Sequence, residues 1–267
     1  MNFFKKDFIK KHDYKSKPLS ERTNNMNNKR KYIKKYLIQT FFLFLMTNIV
    51  YETAFNWVNF INQQGYPFIL ISDSSNSDKK DFWYKILNLG IDFKNLSQNK
   101  NQFFSYFIFI YLAWFVWWPF ITPFFAYKYL DIKKINILFK IFYVILFITA
   151  IFFFLLPVEY LKEYQLKSSS GFTHFLIQKL YNLDGGSFNA LPSLHVSIGW
   201  FCYIIFRFDK TNSIPKKIIL FQFIMAILVF ISTFAIRQHY IMDGICSIIL
   251  VETVFYFFQK KNKNVFL

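Results

Sequence analysis

Four positions separate His239 from Asp243, a spacing that on a helix puts both side chains on one face. A carboxylate so placed can bond one ring nitrogen, fix the tautomer and leave the other nitrogen aimed as a nucleophile. The same pair can also do no more than stabilise a helix end, so it does not decide alone. The chain has only four histidines, His12, His174, His195 and His239, and His195 supplies the second clue. It closes Asn189-Ala-Leu-Pro-Ser-Leu-His195, where the polar, glycine-rich Asp184-Gly-Gly-Ser187 passes into an apolar run. Pro192 suits the first turn of a helix, where its missing N–H would have no intrahelical partner. Free backbone N–H groups at such a start favour an anion, most often phosphate. Ser193 adds a hydroxyl donor, and His195 a group that gives or takes a proton near neutral pH.

Together these residues point to phosphoryl transfer. His239 attacks phosphorus to form a phosphohistidine, and His195 protonates the leaving oxygen. His195 then serves as base for the water or alcohol that releases the phosphate. A transferring phosphoryl group needs fixed cations around it. Arg237 is the best placed, its alternative role being a headgroup-facing anchor. Lys162 is a second candidate, otherwise a solvated loop residue, and His174 is read as part of the same loop. Glu52 and Glu252 read as interfacial acids. No His, Cys or carboxylate cluster has metal-ligand spacing, so metal-independent chemistry without a cofactor is expected.

The remainder of the chain must position these groups, and its composition says in what solvent. Hydrophobic residues make up 54% and aromatics 23%, with 39 Phe, which departs from a soluble domain. Several apolar runs approach the length that crosses a bilayer. Six spans are expected, near 36–57, 103–127, 137–156, 192–208, 218–236 and 240–258, giving an all-α polytopic membrane protein. Trp114, Trp117 and Trp118 suit an interfacial belt or a packed face of the second span, which Pro119 and Pro123 should kink. Phe82 to Leu87 reads as a short interfacial helix, and 158–191 as a long, functional connection. Cys202 and Cys246, both in apolar runs, read as buried thiols.

The net charge is +17, and much of it lies in the first 35 residues. Residues 1–34 read as a basic, disordered cytoplasmic tail, 35–259 as the membrane domain and 260–267 as a short basic C-terminus. Basic residues directly ahead of an apolar run favour anionic lipid headgroups over nucleic acid as the tail's partner. Basic turns recur at Lys128 to Lys134, at Arg207 to Lys217 and at Lys260 to Lys263. The positive-inside rule then puts both termini in the cytoplasm, and it puts His195 and His239 together on the outer face of the cell membrane.

Pro192-Ser-Leu-His195 resembles the second signature of the type 2 phosphatidic acid phosphatase superfamily, and Ser232 to Asp243 resembles the third. The wording is most similar to the branch that includes inositolphosphotransferases and sphingomyelin-synthase-like proteins. The resemblance covers residues 36–258. It implies a six-helix membrane bundle, with His239 as nucleophile, Asp243 as its orienting partner, His195 as acid and Ser193 as a phosphate donor. Two departures stand out. Thr233 follows Ser232 where many members have Arg, a place Arg237 can fill. The first signature is missing, with only Lys162 able to replace its Arg.

The expected activity is a lipid phosphate phosphatase with a phosphatidic-acid-type substrate. A phospho-headgroup transferase using a lipid alcohol is the alternative within the same chemistry. A non-catalytic lipid-phosphate binding or transport protein is the alternative outside it.

Overall fold

The computed structural model describes residues 19–63, 102–155, 171–183, 190–207 and 214–263. Regular structure among them is helical throughout, with no strand. In chain order the elements are α1 (Leu19–Gln63), a 3-10 turn (Gln102–Tyr106), α2 (Phe107–Val116), a π-helical turn (Trp117–Ile121) and α3 (Thr122–Tyr129). They continue with α4 (Ile132–Leu155), α5 (Phe172–Leu183), α6 (Leu194–Arg207), α7 (Lys216–Ala235) and α8 (Ile241–Lys261). By contact the chain forms two units, Met1–Phe44 and Leu45–Leu267; the second holds α2 to α8.

Large apolar side chains point outward on these helices. Phe120, Phe147, Leu155 and Phe257 are all more than 60% exposed, which water would penalise and lipid does not. Five helical stretches are long and apolar enough to cross a membrane, within residues 36–58, 104–129, 132–155, 216–235 and 241–261. This is the all-α, polytopic architecture expected from the sequence. The remaining expected span corresponds to α6, a shorter apolar helix whose described part, Leu194–Arg207, has 14 residues; residues 190–193 ahead of it are irregular.

The second span is one path in several helical pieces. Pro119 has no N–H for the carbonyl four residues back and its ring crowds that carbonyl, and the ladder widens here into the π turn. Pro123, in the first turn of α3, removes a second N–H from the same continuous ladder. The π turn is anchored from α7. The buried Gln222 carbonyl accepts the Trp117 indole N–H at 2.8 Å and the Thr122 hydroxyl at 3.2 Å. Trp114, Trp117 and Trp118 are all buried, so they form a packed face and not a belt.

α6 packs most closely on α7 and then on α8. Where α8 meets α7 the close approach needs a glycine, since a Cβ on Gly244 would collide with the Phe230 ring. α6 and α8 end in Arg207 and in Lys260 and Lys261, whereas α7 begins with Lys216 and Lys217. α7 thus runs from its basic end towards the turn that carries Arg237 and His239. These helix-end cations gather away from the histidines.

Three readings change. Residues 19–34, read as irregular tail, belong to α1. After Pro18 they contain neither Pro nor Gly, so a helix nucleated in the apolar run propagates back through them. The connection 158–191 contains α5, and His174, read as a loop residue, lies on that helix and is 8% exposed. Lys162, the Phe82–Leu87 segment and Asp184–Ser187 lie outside the described residues. Cys202 is a buried free thiol and Cys246 a half-buried one.

Candidate active site

The site is built from two short turns and the start of two helices. α7 ends in a Schellman motif. Gln238 N–H donates to the Thr233 carbonyl at 2.8 Å, and Arg237 N–H to the Phe234 carbonyl at 3.1 Å, which satisfies carbonyls the helix leaves open. The residue such a motif holds in the left-handed region is usually glycine. Here it is Arg237, with φ 54°, a conformation that costs an L-residue on the order of 1 kcal/mol. Such an outlier points to a use for the side chain. Arg237 is 7% exposed. Thr233, found where many members carry Arg, spends its hydroxyl on the Phe230 carbonyl of its own helix at 2.8 Å.

His239 follows in the same turn, its N–H on the Thr233 carbonyl at 3.2 Å. The spacing argument assumed that His239 and Asp243 share a helix. They do not, because α8 begins at Ile241 with Tyr240 as its cap. Asp243 occupies the third helical position and accepts the Tyr240 N–H on Oδ2 at 2.8 Å, a capping bond at an end that favours negative charge. Asp243 Oδ2 lies 3.5 Å from His239 Nδ1. The Ala190 carbonyl is closer, at 3.0 Å. Both neighbours of Nδ1 are acceptors, so Nδ1 carries the proton and Nε2 keeps its lone pair. The orienting group is thus the Ala190 carbonyl first and Asp243 second.

α6 enters from the other side. Ser193 caps it, with Oγ 3.4 Å from the Val196 N–H, and Pro192 precedes the cap instead of sitting in the first turn. This uses acceptor capacity on Ser193 and leaves the hydroxyl proton to donate. Two bonds tie this helix start to α8. Ser193 N–H donates to the Asp243 carbonyl at 3.3 Å, and the Ser247 hydroxyl bonds the Ser193 and Asp243 carbonyls at 2.9 and 2.6 Å.

His195 then projects among rings of α2. Its centroid lies 4.3 Å from Trp114, 4.5 Å from Tyr111 and 5.9 Å from Phe115. The two histidine rings are 6.1 Å apart. Four buried polar atoms of this neighbourhood have no hydrogen-bond partner among the described residues: His195 Nε2, Asp243 Oδ1, Trp114 Nε1 and Gln238 Nε2. Each such atom costs about 1–3 kcal/mol unless something bonds it, so this cluster invites a polar guest.

The structure therefore brings His195, His239, Asp243 and Ser193 together and sets Arg237 in the turn that holds His239. Ala190, Trp114, Ser247 and Gln238 were not anticipated. The carbonyl of Ala190 carries no residue-type signal. Ser247, four residues after Asp243 in an apolar helix, does carry one. Among the described residues no group of three or more His, Cys, Asp or Glu is placed to hold a metal ion.

The chain belongs to the PAP2 superfamily, whose family model matches residues 87–257. That stretch contains every residue of this site. Membership supports an activity of phosphatase or phosphotransferase type. No curated protein and no solved structure matches the chain.

Proposed function

We propose that the protein is a membrane-embedded phosphatase for lipid phosphates of the phosphatidic acid type, working through a phosphohistidine on His239 without metal or cofactor. The observation that carries this reading is the facing pair of rings 6.1 Å apart, with Nδ1 of His239 committed to the Ala190 carbonyl. A phosphoryl group between them would set phosphorus about 3 Å from the attacking nitrogen and the leaving oxygen about 3 Å from the donating one, so the rings open beyond their 6.1 Å spacing when the substrate binds. His239 Nε2 attacks phosphorus, and the bond to the lipid oxygen breaks. That oxygen takes its proton from His195. Water, deprotonated by His195, then cleaves the phosphorus–nitrogen bond and releases phosphate. Ser193 and Arg237 hold the phosphoryl oxygens, with Lys162 as a further cation, and Asp243 stabilises the ring of His239 as it gains charge.

The site faces the outer leaflet and the termini face the cytoplasm, since Lys and Arg cluster at the opposite helix ends. The basic N-terminal residues meet anionic headgroups on the inner side.

A second reading keeps the chemistry and changes the acceptor. If a lipid alcohol resolves the phosphohistidine, the enzyme is a headgroup transferase of the inositolphosphotransferase or sphingomyelin-synthase-like kind. What favours it is the apolar wall of Tyr111, Trp114 and Phe115 around His195, which limits water at the base.

The test is phosphate release from a panel of lipid phosphates by purified protein with chelator present, beside His239→Ala. Release that survives the chelator and is lost in the variant supports the reading. A new phospholipid formed only when an alcohol is supplied selects the transferase. Neither product, with lipid phosphate still bound, would make the protein a binding or transport protein.

A further inference from the structure

Helix α5 takes no part in the chemistry above, yet it bears on the turn that carries it. Ile177 is fully buried against Ile108, Tyr111 and Ile236, and Leu176, Leu180 and Tyr181 pack on the same cluster. Tyr111 is one of the rings on His195, and Ile236 immediately precedes Arg237. Here the Tyr181 hydroxyl donates to the Ile236 carbonyl at 2.5 Å.

The backbone bonds of the turn explain why this contact matters. The Schellman bonds serve the Thr233 and Phe234 carbonyls, and the Ile236 N–H goes to the Ser232 carbonyl at 3.0 Å. The Ile236 carbonyl lies past the end of the helix in a residue with no exposure, where a buried acceptor needs a donor from elsewhere. Tyr181 supplies it. The same carbonyl belongs to the peptide plane between Ile236 and Arg237. For Arg237 to relax from its left-handed conformation that plane must rotate and swing the oxygen away. A strained residue persists only where its surroundings over-determine it.

We propose that Tyr181 is a positioning residue: its hydroxyl pins the Ile236–Arg237 peptide, keeps Arg237 left-handed and thereby keeps His239 against the Ala190 carbonyl. For its effect on turnover the inference rests on the phosphotransfer reading; for its effect on the turn it does not. Glycine adopts the left-handed conformation without strain, so Arg237→Gly removes the need for the pin.

The experiment is a double-mutant cycle of Tyr181→Phe and Arg237→Gly on the full chain, read first by hydrogen exchange at the Gln238 and His239 amides. Tyr181→Phe keeps the ring and its packing. The expected result is exchange at these two amides at least tenfold faster in Tyr181→Phe, no change from 251 to 255 in α8, and less than a twofold effect of Tyr181→Phe in the Arg237→Gly background. A merely structural tyrosine would speed exchange equally in both backgrounds, and that result, or unchanged exchange in Tyr181→Phe, overturns the inference. Turnover is the second readout. If the wild type releases phosphate, Tyr181→Phe should lower the rate about tenfold in the wild-type background only, and an undiminished rate overturns the inference while leaving the phosphatase reading intact. A wild type with no turnover overturns the phosphatase reading, and the exchange cycle still decides Tyr181.

Discussion

α6 and α8 carry polar groups at two places, half-buried at one and buried at the other, and the two are satisfied differently. Towards the basic end, the Glu252 carboxylate accepts both guanidinium nitrogens of Arg207, at 2.7 and 2.6 Å, and the Trp200 indole N–H at 2.9 Å. The guanidinium also lies 5.5 Å from the centre of the Tyr203 ring. At the other end, about 18 Å along α6 from 207 to 195, His195 Nε2, Trp114 Nε1 and Asp243 Oδ1 are buried without partners among the described residues. In an apolar surrounding a polar group without a partner is costly. A network closed on itself therefore reads as structure, and one left open reads as a place for a guest. Mutations at the open end should change turnover more than stability, and those at the closed end should do the reverse.

The largest effect is expected at His239. Removing the nucleophile in His239→Ala should lower phosphate release on the order of 10⁴-fold or more, while leaving the buried Ala190 carbonyl without its donor costs about 1–3 kcal/mol of stability. Phosphate release and thermal unfolding on one preparation measure both. A variant that keeps a tenth of the wild-type rate would remove His239 from the role of nucleophile.

His195→Phe is the next step down. Phenylalanine preserves the ring contacts with Tyr111, Trp114 and Phe115 and removes the unpartnered nitrogen, so the melting temperature should hold or rise. Turnover should fall about 10²–10⁴-fold, the usual range for a lost general acid. The loss should be smaller for an aryl phosphate whose leaving group needs no proton. Equal losses on alkyl and aryl substrates would assign His195 another role.

Arg237→Gly separates the two costs at one residue. The turn gains roughly 1 kcal/mol from relief of the left-handed arginine, and phosphoryl transfer loses about 10²-fold for want of the cation. Denaturation midpoints and rates, taken together, check the opposing signs. A less stable variant with normal turnover would show that the arginine serves the fold.

What was legible in the sequence follows the same division. The spans were readable because lipid demands long apolar runs, and the placement of cations was readable because it is written in Lys and Arg. His195, His239, Asp243, Ser193 and Arg237 stand out in the sequence because each is a polar type at the edge of an apolar run. Their exact linkage was hidden. Spacing suggested a shared helix for His239 and Asp243, whereas a Schellman turn intervenes, closed by an arginine where composition gives no warning. The main partner of His239 Nδ1 is a backbone carbonyl at Ala190, which no residue type announces. α5 was legible in principle, since Phe172, Phe175, Leu176, Leu180 and Leu183 recur at helical spacing. At twelve residues it is too short to register as a span.

The smallest effect on turnover is expected at the closed end, and it bears hardest on the comparison. Glu252→Gln keeps an oxygen for the Trp200 indole and removes the charge that Arg207 pairs with. The bidentate ion pair then becomes a single bond from the guanidinium to an uncharged amide oxygen, and the half-buried guanidinium loses its counterion. Stability should fall by about 1–3 kcal/mol, read as an earlier thermal transition. The rate per folded molecule should stay within twofold of wild type, because no atom of this network reaches the histidines. Replacing both partners, Arg207→Met with Glu252→Met, should recover most of the stability, since no lone charge remains in the bundle. If Glu252→Gln instead slows turnover tenfold while folding normally, the two ends are coupled through α6 and α8, and a closed network in this bundle is then part of the chemistry.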